Sequence, residues 1–224
     1  MIPRELLATA YVPGGSEPLR LIRRGPEYSI MLGANELMNS RLSGSEEALA
    51  TLAQGRIAAV HAPQVLIGGL GMGFTLRAAI TAFGPRSVLT VAEIVPEIVA
   101  WARGPMAHLH EGTLDSPQVR IRIEDVGALI RTASEPYDAI LLDVDNGPDG
   151  LSRESNDALY SLAGLAAARA ALRPGGVLAV WSSGPDARFT ARLRKAGFAA
   201  DQETVRARAG SGGARHTIWL ACRR

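Results

Sequence analysis

Hydrophobic and polar positions divide the chain at about residue 64. Beyond it, short apolar runs alternate with segments of helical period. Val65–Ile67 reads as a strand buried on both faces, and from Phe74 the pattern turns helical through Leu76, Ala78, Ala79 and Ile80. Ser87–Ile94 is the next strand, followed by a helix over Val95–His110 with Pro96 in its first turn. Val119–Ile123 and Tyr137–Val144 are strands that bracket a short helix, Val126–Thr132. An alanine-rich helix, Asn156–Leu172, ends at Pro174-Gly175-Gly176 before strand Val177–Trp181 and helix Ala187–Ala196. Strands around Val205 and at Thr217–Ala221 flank a glycine-rich loop and close the chain as a hairpin. This rhythm predicts an α/β domain over 65–224, with a mostly parallel seven-stranded sheet, helices on both faces and a C-terminal antiparallel hairpin.

Residues 1–64 lack that rhythm. Apolar runs Leu19–Ile22 and Tyr28–Leu32, separated by Arg23-Arg24-Gly25-Pro26, predict a β-hairpin. Ser43-Gly44-Ser45 before Glu46 and Glu47 predicts a helix start, with the helix stopped by Gly55. A small β-rich appendage beside a ligand cleft is the expectation.

Composition narrows the classes. The 224 residues are 47% hydrophobic, but no apolar stretch approaches the ~20 residues of a membrane span. The stretch MIPRELLATAYVPGG has no apolar h-region of a secretory signal after its charges, and the single cysteine, Cys222, read as a small buried residue, allows neither an internal disulfide nor a cysteine metal cluster. A cytoplasmic protein is expected. The 24 basic and 22 acidic residues differ by +2, too little to imply nucleic-acid binding. No histidine spacing suggests a metal site; His61, His108, His110 and His216 read as surface or helix-end residues.

The candidate chemistry lies at strand ends, where open α/β sheets bind ligands. Gly68, Gly69, Gly71 and Gly73 crowd into the six residues between the first core strand and its helix. This Rossmann-like turn brings backbone N–H groups up to a ligand, and Gly69-x-Gly71-x-Gly73 suits one without a pyrophosphate, such as S-adenosylmethionine. Glu93, followed by Ile94, ends the second strand and is placed to accept the hydroxyls of a ribose. Asp125, before Val126, either meets an exocyclic amine such as that of adenine or caps the next helix. Asp143, Asp145 and Asp149 with Asn146 put three carboxylates and an amide into seven residues at the end of the fourth strand. This is the predicted reacting centre, suited to holding a cationic substrate or to general-base work.

Together the glycine loop, Glu93, Glu124-Asp125 and YDAILLDVDNGP resemble the spermidine synthase-like branch of the S-adenosylmethionine-dependent methyltransferase superfold. The resemblance implies that Gly69, Gly71, Met72 and Gly73 line the donor site and that Glu93 and Ile94 hold the ribose side. It implies that Asp125 and Val126 meet the adenine and that Asp143 lies near the sulfonium. It implies a homodimer, a small amine acceptor, and aminopropyl transfer from S-adenosylmethionine in its decarboxylated form. Three positions depart from the family pattern. Met72 replaces an acid of the glycine loop, and the family's base falls on Asn146 unless Asp145 serves. Glu46-Glu47-Ala48-Leu49-Ala50-Thr51 lacks the Tyr and His of the matching Asp-Glu-x-x-Tyr-His stretch. A methyltransferase using the ordinary donor and a catalytically silent nucleoside-binding homologue are the alternatives.

Overall fold

The computed structural model describes residues 2–144, 158–208 and 213–224. Among the described residues the strands form two sheets. The first is a four-stranded antiparallel meander of β1 (Glu5–Tyr11), β2 (Pro18–Arg24), β3 (Glu27–Leu32) and β4 (Asn35–Asn39). The predicted hairpin is its centre. β1 and β4 lack a clean apolar run, and pairing with β2 and β3 supplies what their sequence does not signal.

The second sheet is formed by β5 (Gln64–Gly68), β6 (Val88–Glu93), β7 (Val119–Ile123), β8 (Tyr137–Leu142), β9 (Leu172–Ser182), β10 (Phe198–Arg206) and β11 (Arg215–Arg223). Its order is β10-β11-β9-β8-β5-β6-β7, with the β10–β11 and β11–β9 pairs antiparallel and the other pairs parallel. This is the expected seven-stranded, mostly parallel sheet with its hairpin. The chain runs outward from β5 through β6 to β7, then returns to β8 on the other side of β5. The carboxyl ends of β5 and β8 therefore flank the topological switch point, where such sheets form a crevice.

Alternate residues of the central strands feed two cores. Val65, Ile67, Ala139 and Leu141 join α1 (Gly44–Arg56), α2 (Phe74–Phe83), α3 (Pro96–Arg103) and the meander. Leu66, Ile140 and Leu142 join α5 (Val126–Arg131), α6 (Leu162–Ala171) and α7 (Ala187–Lys195) on the other face. α1 packs against α2 and β9. It is thus laid on the large sheet, although it precedes that sheet in the chain.

Four local expectations change. The helix expected over Val95–His110 breaks after Arg103 at Gly104-Pro105 and resumes as α4 (Ala107–His110), because proline has no N–H and clashes with the preceding turn. α1 runs through Gly55 to Arg56, since glycine lowers helix propensity without forbidding helix. α6 stops at Ala171 and β9 begins at Leu172, so Pro174-Gly175-Gly176 lies inside an irregular strand start with Gly175 at φ 81°. Cys222 is only partly buried.

Candidate active site

The carboxyl ends of β5, β6 and β8 surround a cavity of about 430 Å³, within the usual range for small-molecule sites. Gly69, Gly71, Glu93, Ile94, Asp125, Val126 and Asp143 all line it. The meander contributes the opposite wall through Val12, Glu17, Leu37 and Met38, none of which the sequence pattern singled out. Met72 and Gly73, expected with the loop glycines, face instead a smaller cavity of about 90 Å³. Leu37, Met38, Gly71 and Asp143 border both spaces. Glu46 and Trp181 border only the small one.

The glycine loop must lie where it does. Gly69 has φ +89°, and a Cβ there would fall 2.5 Å from the backbone oxygen of Asp143. Gly73 has φ +80°, and its Cβ would meet the His110 ring at 2.3 Å. Both positions demand glycine on conformation and on space. His110 ends α4, one of the two places expected for it, but it is buried rather than on the surface, and neither ring nitrogen has a hydrogen bond among the described residues. Burial first, then the Arg77 and His108 charges, lower its pKa to about 4, so the imidazole packs under the loop as a neutral ring.

Glu93 braces the loop. Its Oε2 accepts from the Leu70 N–H at 3.0 Å and its Oε1 from the Val95 N–H at 2.9 Å. Burial raises its pKa against the pull of these donors. The backbone N–H groups of Ile94 and Gly71 also lie toward this carboxylate, and the residue lines the cavity. Bracing and ligand contact are compatible, as they are at Asp125. Its Oδ1 caps α5 by accepting from the Ala128 N–H at 2.8 Å, while the residue also lines the cavity.

Asp143 stands where the two cavities meet. Its Oδ2 accepts from the Thr75 hydroxyl at 2.6 Å. Its carboxyl is enclosed, while the residue as a whole keeps an edge along the cavities. Burial, then the like charge of Glu46, raises the pKa to about 7 despite the Thr75 bond. Glu46 is raised in turn, by burial first and by Glu47, against a 2.7 Å hydrogen bond from Ser45. Among the described residues neither acid is in a salt bridge, whereas adjacent Glu47 pairs with Arg77 at 3.6 Å. Asp145 and Asn146 lie outside the described residues.

Glu46 was visible in the sequence only as a first-turn acid and as part of the stretch matched to Asp-Glu-x-x-Tyr-His. Trp181, whose strand-end position fitted either cleft or core, forms a wall of the small cavity. Trp101 and Trp219 are core residues, as their periodicity indicates.

Fold and cavity define a doubly wound α/β protein with a nucleoside-sized site at its switch point, closed on one side by a β meander. The chain belongs to the spermine/spermidine synthase domain family, whose model matches residues 45–186. It is 32% identical over 149 residues to a polyamine aminopropyltransferase of Mycobacterium tuberculosis, covering 62% of this chain and 27% of that one. It is 33% identical over 120 residues to polyamine aminopropyltransferase 2 of Pseudomonas aeruginosa, covering 52% of this chain and 32% of the relative. The chain thus matches only about a quarter to a third of these relatives' length. A spermidine synthase crystal structure in complex with the transition-state analogue AdoDATO has the same fold, with TM-score 0.75 and 15% identity over 98% of this chain and 72% of that one. The spermidine synthase of Thermotoga maritima also scores 0.75, at 14% identity over 98% of this chain and 73% of the other.

Proposed function

We propose that the protein transfers an aminopropyl group from decarboxylated S-adenosylmethionine to a small amine. The observation that carries this reading is Asp143, an enclosed carboxyl without a cationic partner among the described residues, at the junction of a nucleoside-sized cavity and a small acidic one. Family membership supports it. In this reading Gly69, Gly71, Glu93, Ile94, Asp125 and Val126 hold the nucleoside. The loop brings backbone donors to it, and Glu93 and Asp125 offer acceptors to hydroxyls and the exocyclic amine. Met72 and Gly73 form the floor beneath the aminopropyl chain.

The acceptor nitrogen attacks the methylene carbon next to the sulfonium. A C–N bond forms, and the C–S electron pair returns to sulfur as methylthioadenosine leaves. The surplus ammonium proton passes to Asp143, whose pKa of about 7 suits a general base at neutral pH. Asp145, and Asn146 as a hydrogen-bonding group, are proposed to complete the acceptor side. No helix among the described residues is long and apolar enough to cross a membrane. The reading also includes a cytoplasmic location and a homodimer, a second copy covering the exposed Leu6 and Tyr11 of edge strand β1.

Incubation with decarboxylated S-adenosylmethionine and a panel of diamines tests the activity. Methylthioadenosine should appear only when both substrates are present. Its absence with every amine overturns the reading. Light scattering after size exclusion tests the dimer, and a monomer mass rejects it.

A further inference from the structure

We propose that Glu46 selects the donor: it holds the ammonium end of the transferred group in the small cavity and keeps out a donor bearing a carboxylate there. This inference rests on the aminopropyl reading.

Among the described residues, Glu46 and Asp143 are the two acids lining the small cavity, and Met72 presents an uncharged thioether to it. The loop that carries the nucleoside therefore supplies no charge to the donor's tail. Charge reaches the cavity from a different element, the first turn of α1.

That turn is held in place. The Ser45 hydroxyl donates to Glu46 Oε2 at 2.7 Å, and Ser45 Oγ lies 2.8 Å from His216 Nδ1 on β11. Because the hydroxyl proton goes to Glu46, Ser45 accepts from His216, which places the imidazole proton on Nδ1. His216 in turn makes an edge contact with Trp181, centroids 4.8 Å apart. Glu47 is occupied by Arg77, but Glu46 has no cation of the chain's own among the described residues. The acid is thus positioned and left without a counter-ion.

A primary ammonium supplies what is missing. It is positive, has three donors and fits an aromatic-walled space. Bound to Glu46, it relieves the like-charge repulsion on Asp143 and leaves that carboxylate to act as base. Ordinary S-adenosylmethionine carries a carboxylate on the same carbon as its ammonium, and two acids would repel it at short range.

Calorimetry with three ligands tests this. They are decarboxylated S-adenosylmethionine, S-adenosylmethionine, and methylthioadenosine, which has no charged tail. Wild type should prefer the decarboxylated donor by about tenfold or more, the scale of one charge-assisted contact. Glu46→Gln should lose most of that preference while binding methylthioadenosine within about twofold of wild type. Adding Met72→Asp to Glu46→Gln should restore it. Glu46→Asp, which keeps the charge, should retain the preference even if Glu46→Gln does not fold.

Wild type that prefers the ordinary donor overturns the proposal without any variant. So does a Glu46→Gln protein that keeps its preference, or one whose methylthioadenosine affinity falls as far as its donor affinity. No binding of methylthioadenosine by wild type removes the nucleoside reading and the proposal together. A Glu46-dependent preference without transfer to any amine upholds the proposal and removes only the enzymatic reading.

Discussion

Strand β8 carries a buried acid near each end, and the two are treated in opposite ways. At its amino end, Asp138 is 4% exposed and fully engaged. Its Oδ2 accepts from the Gln64 N–H at 2.8 Å, and Arg173 lies 3.3 Å from both oxygens. Just past its carboxyl end, Asp143 has the Thr75 hydroxyl and a second acid as neighbours, and no cation among the described residues. A carboxyl buried for stability brings its counter-charge with it. One buried without a counter-charge stores an unfavourable interaction that a cationic ligand can relieve. The same contrast recurs within one turn of α1, where Glu47 has Arg77 and Glu46 has none. Unfavourable electrostatics therefore gather at one end of the sheet, and that end holds both cavities.

The sharpest way to break this comparison is to neutralise the unpaired acid. Asp143→Asn keeps shape and can still accept from Thr75. Loss of a general base should cut transfer by about 10²–10⁴-fold. The melting temperature should stay level or rise, because a neutral amide ends the repulsion with Glu46. A large loss of stability would show that Asp143 is structural and that the two ends of β8 do not differ.

Asp138→Ala is the converse. It removes an acceptor from Gln64 and strands Arg173, which keeps a partly exposed side chain. The expected cost is about 2–3 kcal/mol in denaturant unfolding, with kcat per folded molecule unchanged. A variant of wild-type stability but impaired turnover would reverse the assignment.

Next in size is Gly69→Ala. The added Cβ meets the Asp143 backbone oxygen, and φ +89° disfavours any side chain. A loss of about 1–2 kcal/mol in stability is expected, together with weaker methylthioadenosine binding by calorimetry. Unchanged binding would mean the loop does not set the floor of the site.

What the sequence made legible follows the same divide. Parallel strands buried on both faces print continuous apolar runs, so β5 and β8 could be placed from Val65–Ile67 and Tyr137–Val144. The glycine loop and Glu93 were readable because their chemistry is local, a turn followed by an acid one strand over. Edge strands β1 and β4 were not, since their order depends on partners rather than on pattern. The break after Arg103 was available in Gly104-Pro105 but was outweighed by helical periodicity on both sides. Glu46 was hidden for another reason. Its neighbour across the small cavity, Asp143, is 97 positions away, and a first-turn acid followed by a second acid looks like ordinary dipole compensation. Only packing shows that one of the two has Arg77 and the other a cavity.

The most direct measure of stored repulsion is the pH dependence of stability. Asp143 titrates at about 7 in the folded protein, against an ordinary value of 3.8 when unfolded. Between these values the folded state binds the extra proton, so this group's contribution falls as pH rises from about 4 to 7. Asp143→Asn lacks that slope. Subtracting the variant's melting temperature from that of wild type, from pH 5 to pH 8, isolates the residue from every other titrating group. The difference should drift downward as pH rises across this range. Saturating decarboxylated donor should flatten the drift, since its ammonium supplies the missing counter-charge at high pH. A difference that rises with pH would mean that Asp143 is stabilised as the anion by the chain itself, and the contrast between the two ends of β8 would be lost.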